Sequence, residues 1–299
     1  YEPLKDAFSG LHPAVGFAYF AAVIVFTMIY MHPWLLAISL LASASYVCIL
    51  KGARSFLKTL AYLIPFLLLM SVFNALFNHA GVTPLFYLKN GNAMTREALI
   101  YGFFASAMFA SVILWFSCFN EIMTSDKLLF LFGRLSPSVS LLLSMSLRLV
   151  PRFGDKIRSI AASRAQIGLG SSEGSFIHRL KCSARILSVA VSWALEGSII
   201  SADSMKSRGY GAARRTSFSV YRFDSRDGAA LTAGLILCAA VIFAVASGSI
   251  YARFYPSVIL SGGSAVSILG TAAFAALCFA PHLFDLKEAY VWRHSVSAI

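Results

Sequence analysis

Two arginines stand out for the chemistry their setting permits. Ser163-Arg164-Ala165-Gln166-Ile167-Gly168 and, 44 positions later, Ser207-Arg208-Gly209-Tyr210-Gly211 each place an Arg where a long basic helix should end. Gly168, and Gly209 or Gly211, can take the left-handed conformation that terminates a helix. An Arg in such a last turn can simply offset the negative end of the helix dipole, an effect of about 0.3–1 kcal/mol. It can also point outward, where its planar five-donor head suits carboxylates and the bare carbonyls of another helix end. Two equivalent tips imply two equivalent sockets on a partner.

Other chemistry is sparse. No G-x-x-x-x-G-K-[ST] occurs, so the chain carries no Walker A loop for ATP phosphates. Gly168-Leu169-Gly170 with Gly174 misses the spacing of a dinucleotide loop, and no strand precedes it. His12, His32, His79, His178, His282 and His294 never pair at ligand spacing and fit capping or interfacial places better than metal sites. Cys48, Cys118, Cys182, Cys238 and Cys278 lie far apart, mostly inside apolar runs, and read as reduced packing residues. Glu196 is the one acid in the apolar part of its helix; it is expected either to pair with Arg148 or Arg185 or, if in lipid, to be functional. No carboxylate pair or Ser/His/Asp set suggests an active site, and neither a cofactor nor a nucleic acid is expected.

The elements that would hold the arginines are two long helices. From Phe176 onward Ile177, Ala184, Val191, Ser198 and Met205 recur every seven residues, with Leu180, Leu187, Ala194 and Ser201 as a second seam position. The stripe runs about 30 residues, or about 45 Å. Its later members are small, which lets another helix approach closely; Ala184, Val191, Ala194, Ser198 and Ser201 are the expected crossing seam. Upstream, Pro137 suits a first helical turn, Leu141 to Val150 is largely apolar, Pro151 should kink or break the helix, and Arg152 to Gln166 continues as a basic amphipathic stretch. Before it, Thr124-Ser125-Asp126-Lys127 offers N-cap chemistry for a short helix, Leu128 to Phe132, stopped by Gly133.

Composition supplies the solvent. Of 299 residues 58% are hydrophobic and 13% charged, with 25 Lys+Arg against 13 Asp+Glu, a formal charge of +12. Soluble domains carry about 25% charged residues, so a mean hydropathy of +0.74 points to an integral membrane protein and excludes disorder. Apolar stretches near the 17–25 residues that span a bilayer occur at Ala14–Tyr30, Trp34–Leu50, Leu60–Phe77, Ala98–Phe119, Ala229–Ile250 and Val258–Phe279. No basic n-region and cleavage site precede the first, so no cleaved signal peptide is expected. Lys51, Arg54 and Lys58 mark the second connection, while the first is neutral and the third, His79 to Glu97, holds only Lys89 and Arg96. Residues 152 to 226 carry 13 of the 25 basic side chains. The positive-inside rule and anionic headgroups would together put both termini and the insert in the cytosol.

The block Ala202-Asp203-Ser204-Met205-Lys206-Ser207-Arg208-Gly209-Tyr210-Gly211, followed by Arg215-Thr216, closely resembles the second Arg motif of EcfT, the transmembrane T component of bacterial energy-coupling factor (ECF) transporters. Met123-Thr124-Ser125-Asp126-Lys127, Leu131-Phe132-Gly133-Arg134, Ser144-Met145-Ser146-Leu147-Arg148-Leu149-Val150-Pro151-Arg152-Phe153, Trp193-Ala194-Leu195-Glu196, His12-Pro13 and His32-Pro33 are similar to that family too, so the resemblance covers most of the chain. It implies a scaffold between a membrane-embedded, substrate-binding S component and two cytosolic ABC-type ATPase subunits. Two coupling helices crossed like an X would each place an Ala-Arg-Gly-like tripeptide in an ATPase groove. The second tripeptide reads Ser207-Arg208-Gly209; the first, Ser163-Arg164-Ala165, departs from the pattern, leaving Arg164 or a neighbour such as Arg158 as the inserted side chain. The implied substrates are vitamins or transition-metal ions.

The expectation is therefore an all-α integral membrane protein of the bacterial cell membrane, multi-pass, with about six transmembrane helices (six to eight) and two long crossed cytoplasmic coupling helices. Residues 1–120 would form an N-terminal membrane domain of about four spans, 121–227 the cytoplasmic coupling-helix domain, and 228–299 about two C-terminal spans. The chain would be a non-catalytic energy-coupling subunit. The competing class is a self-contained secondary transporter or membrane enzyme, which should show midplane charges, broken inverted repeats or clustered His and acids.

Overall fold

The computed structural model describes residues 8–78, 80–87, 93–135, 137–169, 175–212, 221–261 and 263–296. The chain divides into two compact units, Tyr1–Lys127 with Tyr221–Ile299, and Leu128–Val220. The two membrane segments expected as separate domains thus make one unit, and the insert between them begins and ends a few residues inside the expected limits 121 and 227.

The first unit holds α1 (Pro13–Ile29), α2 (Pro33–Lys51), α3 (Ala53–Phe77), α4 (Arg96–Ile122), α8 (Ser225–Ala246), α9 (Ala265–Cys278) and α10 (Ala280–Val296). Both His-Pro pairs begin helices. Pro13 and Pro33 occupy first-turn positions whose missing N–H costs nothing, and His12 Nδ1 accepts from Ala14 N at 3.2 Å. Phe20, Tyr46, Trp115 and Phe274 are fully buried and knit α1, α2, α4 and α9 into one core. Where helices run closest the chain uses glycine. A Cβ on Gly102 would stand 2.8 Å from the Ser71 carbonyl, and one on Gly270 would overlap Ala244 Cβ. Lipid tails give helices no hydrophobic reason to associate, so such close backbone packing carries much of the cohesion.

Hydroxyls complete it. Ser39 Oγ is the hub of a buried set, 2.9 Å from Thr27 Oγ1 and 2.8 Å from Ser111 Oγ, and it accepts from Trp115 Nε1 at 2.9 Å. Three helices are joined there with no buried charge. At one end of the unit, two short antiparallel strands, β1 (Pro84–Tyr87) and β2 (Ala93–Thr95), precede α4. Thr95 caps α4 by accepting from Ala98 N and donates to the Ala80 carbonyl, while the Glu97 carboxylate accepts from Thr83 Oγ1 at 2.6 Å.

Five helices, α2, α3, α4, α7 (Phe176–Ser207) and α8, are long and apolar enough to cross a membrane. The α9–α10 pair qualifies only as one span bent by 53°, and α1, at 17 residues, sits at the short end of the range. The expected sixth span, Val258–Phe279, is not one helix. Ile259–Leu260 forms β4, which pairs with β3 (Ala252–Arg253), and α9 begins only at Ala265. A short apolar run reads alike as strand or helix by hydropathy alone.

The second unit contains most of α5 (Ser125–Leu135), α6 (Pro137–Gln166) and α7. Gly133 does not stop α5. Its bareness is needed because a Cβ there would meet Ser140 Oγ at 2.7 Å, where α6 folds back. Pro151 does not break α6 either: the helix runs through it, as α3 runs through Pro65. Proline removes one i→i−4 bond, and in a 30-residue helix the remaining ladder carries the chain across.

Candidate functional site

The candidate site is the pair of C-terminal ends of α6 and α7. Both close with the same two-bond cap. At α6, Leu169 N donates to the Arg164 carbonyl at 2.9 Å and Gly168 N to the Ala165 carbonyl at 3.1 Å, with Gly168 at φ +74°. At α7, Tyr210 N donates to the Met205 carbonyl and Gly209 N to the Lys206 carbonyl, both at 3.0 Å, with Gly209 at φ +79°. These are Schellman ends, six-to-one plus five-to-two, each built on a left-handed glycine.

The shared geometry fixes a register that differs from the one spacing suggests. Aligned on their capping glycines, Arg208 corresponds to Ile167, and Arg164 corresponds to Met205. Arg208 is the C-cap residue itself, with φ −83° and ψ 7°, and is exposed. Beyond it Gly211 also has positive φ, Tyr210 is 52% exposed, and a Cβ at either glycine would meet nothing within 4 Å. This end is a bare tip carrying one guanidinium and one phenol. The α6 end presents exposed Ile167 instead. Arg164 stands one turn back, half-buried, with Nε and Nη2 enclosed and making no hydrogen bond among the described residues. Arg158, the other candidate, forms a pair with Asp155 at 3.5 Å in which both side chains are largely exposed, a contact of small energetic weight.

The flanking serines behave alike. Ser163 Oγ donates to the Ser159 carbonyl and Ser207 Oγ to the Ser204 carbonyl, both at 3.0 Å, so neither hydroxyl is offered outward. Ala165 is exposed beside the α6 cap. Arg215 and Thr216, which follow the α7 motif, lie outside the described residues, as does Gly170 after the α6 end.

Of the expected crossing seam, Ala184, Val191, Ser198 and Ser201 are exposed and only Ala194 is half-covered; the Ser198 and Ser201 hydroxyls are spent on carbonyls of their own helix. The buried stripe is Cys182, Ile186 and Ala190, at four-residue steps. Helix α6 instead meets α7 through Trp193, whose ring lies 6.4 Å from that of Phe153 and 5.6 Å from Lys156 Nζ. These residues lie near the middle of each helix. A seven-residue repeat shows that a helix has stripes, whereas the covered stripe depends on where a bulky anchor fits; the tryptophan was the readable signal, since it is the only Trp in either helix. Glu196 is exposed and pairs with neither Arg148 nor Arg185 among the described residues.

The rest of the unit is equally bare. Leu142, Val150, Phe176, Leu180, Leu195 and Ile199 are all at least 60% exposed, interleaved with exposed Arg148, Arg152, Arg179 and Arg185. Such a surface offers apolar contact and guanidinium donors together. No family model matches the chain, and no curated protein shows a significant match to it.

Proposed function

We propose that the chain is the energy-coupling membrane scaffold of an ECF-type importer, a non-catalytic subunit that transmits ATP-driven movement from two cytosolic ABC-type ATPase subunits to a membrane-embedded S component that binds a vitamin or a transition-metal ion. The observation that carries this reading is the pair of matched helix ends, one of which presents Arg208 on a stripped double-glycine turn. An Arg merely compensating a helix dipole needs no such clearance. A guanidinium meant to enter a groove on another protein does, because any neighbouring side chain would have to be desolvated with it.

In this reading α6 and α7 are the crossed coupling helices, meeting at Phe153, Lys156 and Trp193, and they face the cytosol of a bacterial cell together with both termini. Charge placement supports the orientation. The His12 backbone N–H donates to Asp227 Oδ1, and Lys51 Nζ lies 3.8 Å from Glu121. Lys127 Nζ donates to the Ser9 and Ile122 carbonyls, so these contacts gather the starts of α1 and α8 and the ends of α2 and α4 at one end of the unit, where Lys51 and Arg226 also lie. Helix α7 is also apolar enough to span a membrane; its mixed surface suits the membrane face, half in headgroups and half against protein.

The test is coexpression of the tagged chain with candidate ATPase and S subunits. Two nucleotide-binding subunits should copurify, and Arg208→Ala should release them and abolish uptake. A chain purified alone that transports without ATP would instead establish a self-contained secondary transporter. Orientation is read separately by labelling Ala212→Cys in a background lacking the five native cysteines; reaction with an impermeant reagent outside intact cells would overturn it.

A further inference from the structure

The first unit has an open-sided cavity of about 620 Å³ between α1, α8 and the α9–α10 pair. Its character changes along its length. Arg226, Lys287 and Glu288 stand at one end, and Ala22, Cys238 and Leu277 line the other. The lining positions on α8 run from 226 to 238, about 18 Å of helix rise at 1.5 Å per residue. Tyr19, in the wall, donates its hydroxyl to the Leu277 and Cys278 carbonyls at 3.1 and 3.3 Å, so the phenol is spent on the backbone and its ring faces an apolar space. At the mouth Arg226 Nη2 lies 4.0 Å from Glu288, with both side chains substantially exposed, and Lys287 makes no ion pair among the described residues. The mouth therefore keeps one uncompensated positive charge and a second cation held by a long, openable contact.

A long apolar slot with a cationic mouth is shaped for an amphiphile. It is too apolar at its inner end for a water-soluble substrate, whose polar groups would find no partners there. We propose that the cavity holds one acyl chain of an anionic phospholipid, its phosphate set between Arg226 and Lys287.

The delipidated protein, incubated with an equimolar mixture of phosphatidylglycerol and phosphatidylcholine in detergent, is examined by native mass spectrometry. Wild type should retain one phosphatidylglycerol per chain in preference to phosphatidylcholine by about tenfold or more, each cation near a headgroup contributing about fivefold. Lys287→Gln should cut that preference about fivefold. Ala233→Trp, which fills the slot, should lose the retained lipid, whereas Ile236→Trp, on an exposed position of α8 outside the lining, should keep it. If Ala233→Trp does not fold, the exposed Lys287→Gln exchange still decides. Equal retention of the two lipids by wild type, an unchanged preference in Lys287→Gln, or displacement of the phospholipid by free palmitate at equal concentration would overturn the assignment.

Discussion

The two units are both built of helices, yet they face their surroundings in opposite ways. In the first, α4 buries Trp115, Leu114 and Cys118 and the hydroxyls of Ser106 and Ser111; glycines and serines draw its neighbours in. In the second, α7 is longer, yet its buried residues are Cys182, Ile186 and Ala190 alone among those described. The first unit is finished by its own contacts and leaves an apolar exterior that lipid satisfies. The second exposes Leu and Ile beside Arg and Lys on the same helices, a mixture that neither water nor hydrocarbon satisfies by itself. Stability resides in one unit and unspent binding capacity in the other.

Mutations that break or sharpen this contrast can be ranked. Gly270→Leu should have the largest effect, since even its Cβ would overlap that of Ala244. A few extra methylenes in a packed site already cost about 1–3 kcal/mol, and four added carbons against the neighbouring helix exceed that, so α8 and α9 should separate with loss of monodisperse protein on size-exclusion chromatography; normal yield would show that the helices can part without harm. Next comes Arg208→Ala: under the proposed function, in which this tip docks in an ATPase groove, it should weaken attachment by about 2–5 kcal/mol, the usual cost of removing one partner of a buried charged contact. The isolated chain should be left as stable as wild type. Arg208→Lys should restore only part of the attachment, because the planar fork is gone. Arg164→Ala should cost attachment clearly less, because Arg164 sits a turn behind the tip; equal losses at the two positions would restore the symmetric picture and discard the cap register.

Ser39→Ala should act on the first unit alone. It removes the hub that Trp115, Thr27 and Ser111 share, leaving buried groups unpaired at about 1–3 kcal/mol, and should lower the thermal midpoint without altering copurification. The smallest effect is expected for Asp155→Ala, which breaks an exposed i,i+3 pair worth well under about 1 kcal/mol; melting and uptake should both match wild type. A marked loss of uptake in that variant would mean that Asp155 faces a partner.

Much of this could be read from the amino acids. Five of the six apolar stretches coincide with α1, α2, α3, α4 and α8 because long uncharged runs have few alternatives. The left-handed glycine at 168, and the one at 209 or 211, were legible because backbone chemistry at those points is local; the structure has both Gly209 and Gly211 at positive φ. What escaped depends on distant partners. Gly133 looks like a stop until Ser140 is known to press on it, and Ile259–Leu260 looks like membrane helix until it pairs with Ala252–Arg253. The arginines match at a spacing of 44, yet hydrogen bonding aligns the two ends at 41, glycine on glycine. Side-chain likeness misled where the cap geometry did not.

The contact between His12 and Asp227 has a consequence for how the molecule is made. Asp227 Oδ1 accepts from His12 N at 2.9 Å, and its Oδ2 accepts from Asp224 N, so the starts of α1 and α8 are held by one carboxylate 215 residues away from the N–H it binds. A ribosome adding about 5–20 residues per second needs on the order of 10 to 40 s to deliver that aspartate after His12 has emerged. Until then α1 has α2 and α4 to pack on, through Thr27, Ser39 and the Phe20–Trp115 contact, and α6 and α7 are synthesised before the carboxylate can fasten α8 to α1. The α6–α7 pair can therefore form before the carboxylate clasp between α1 and α8 has been made.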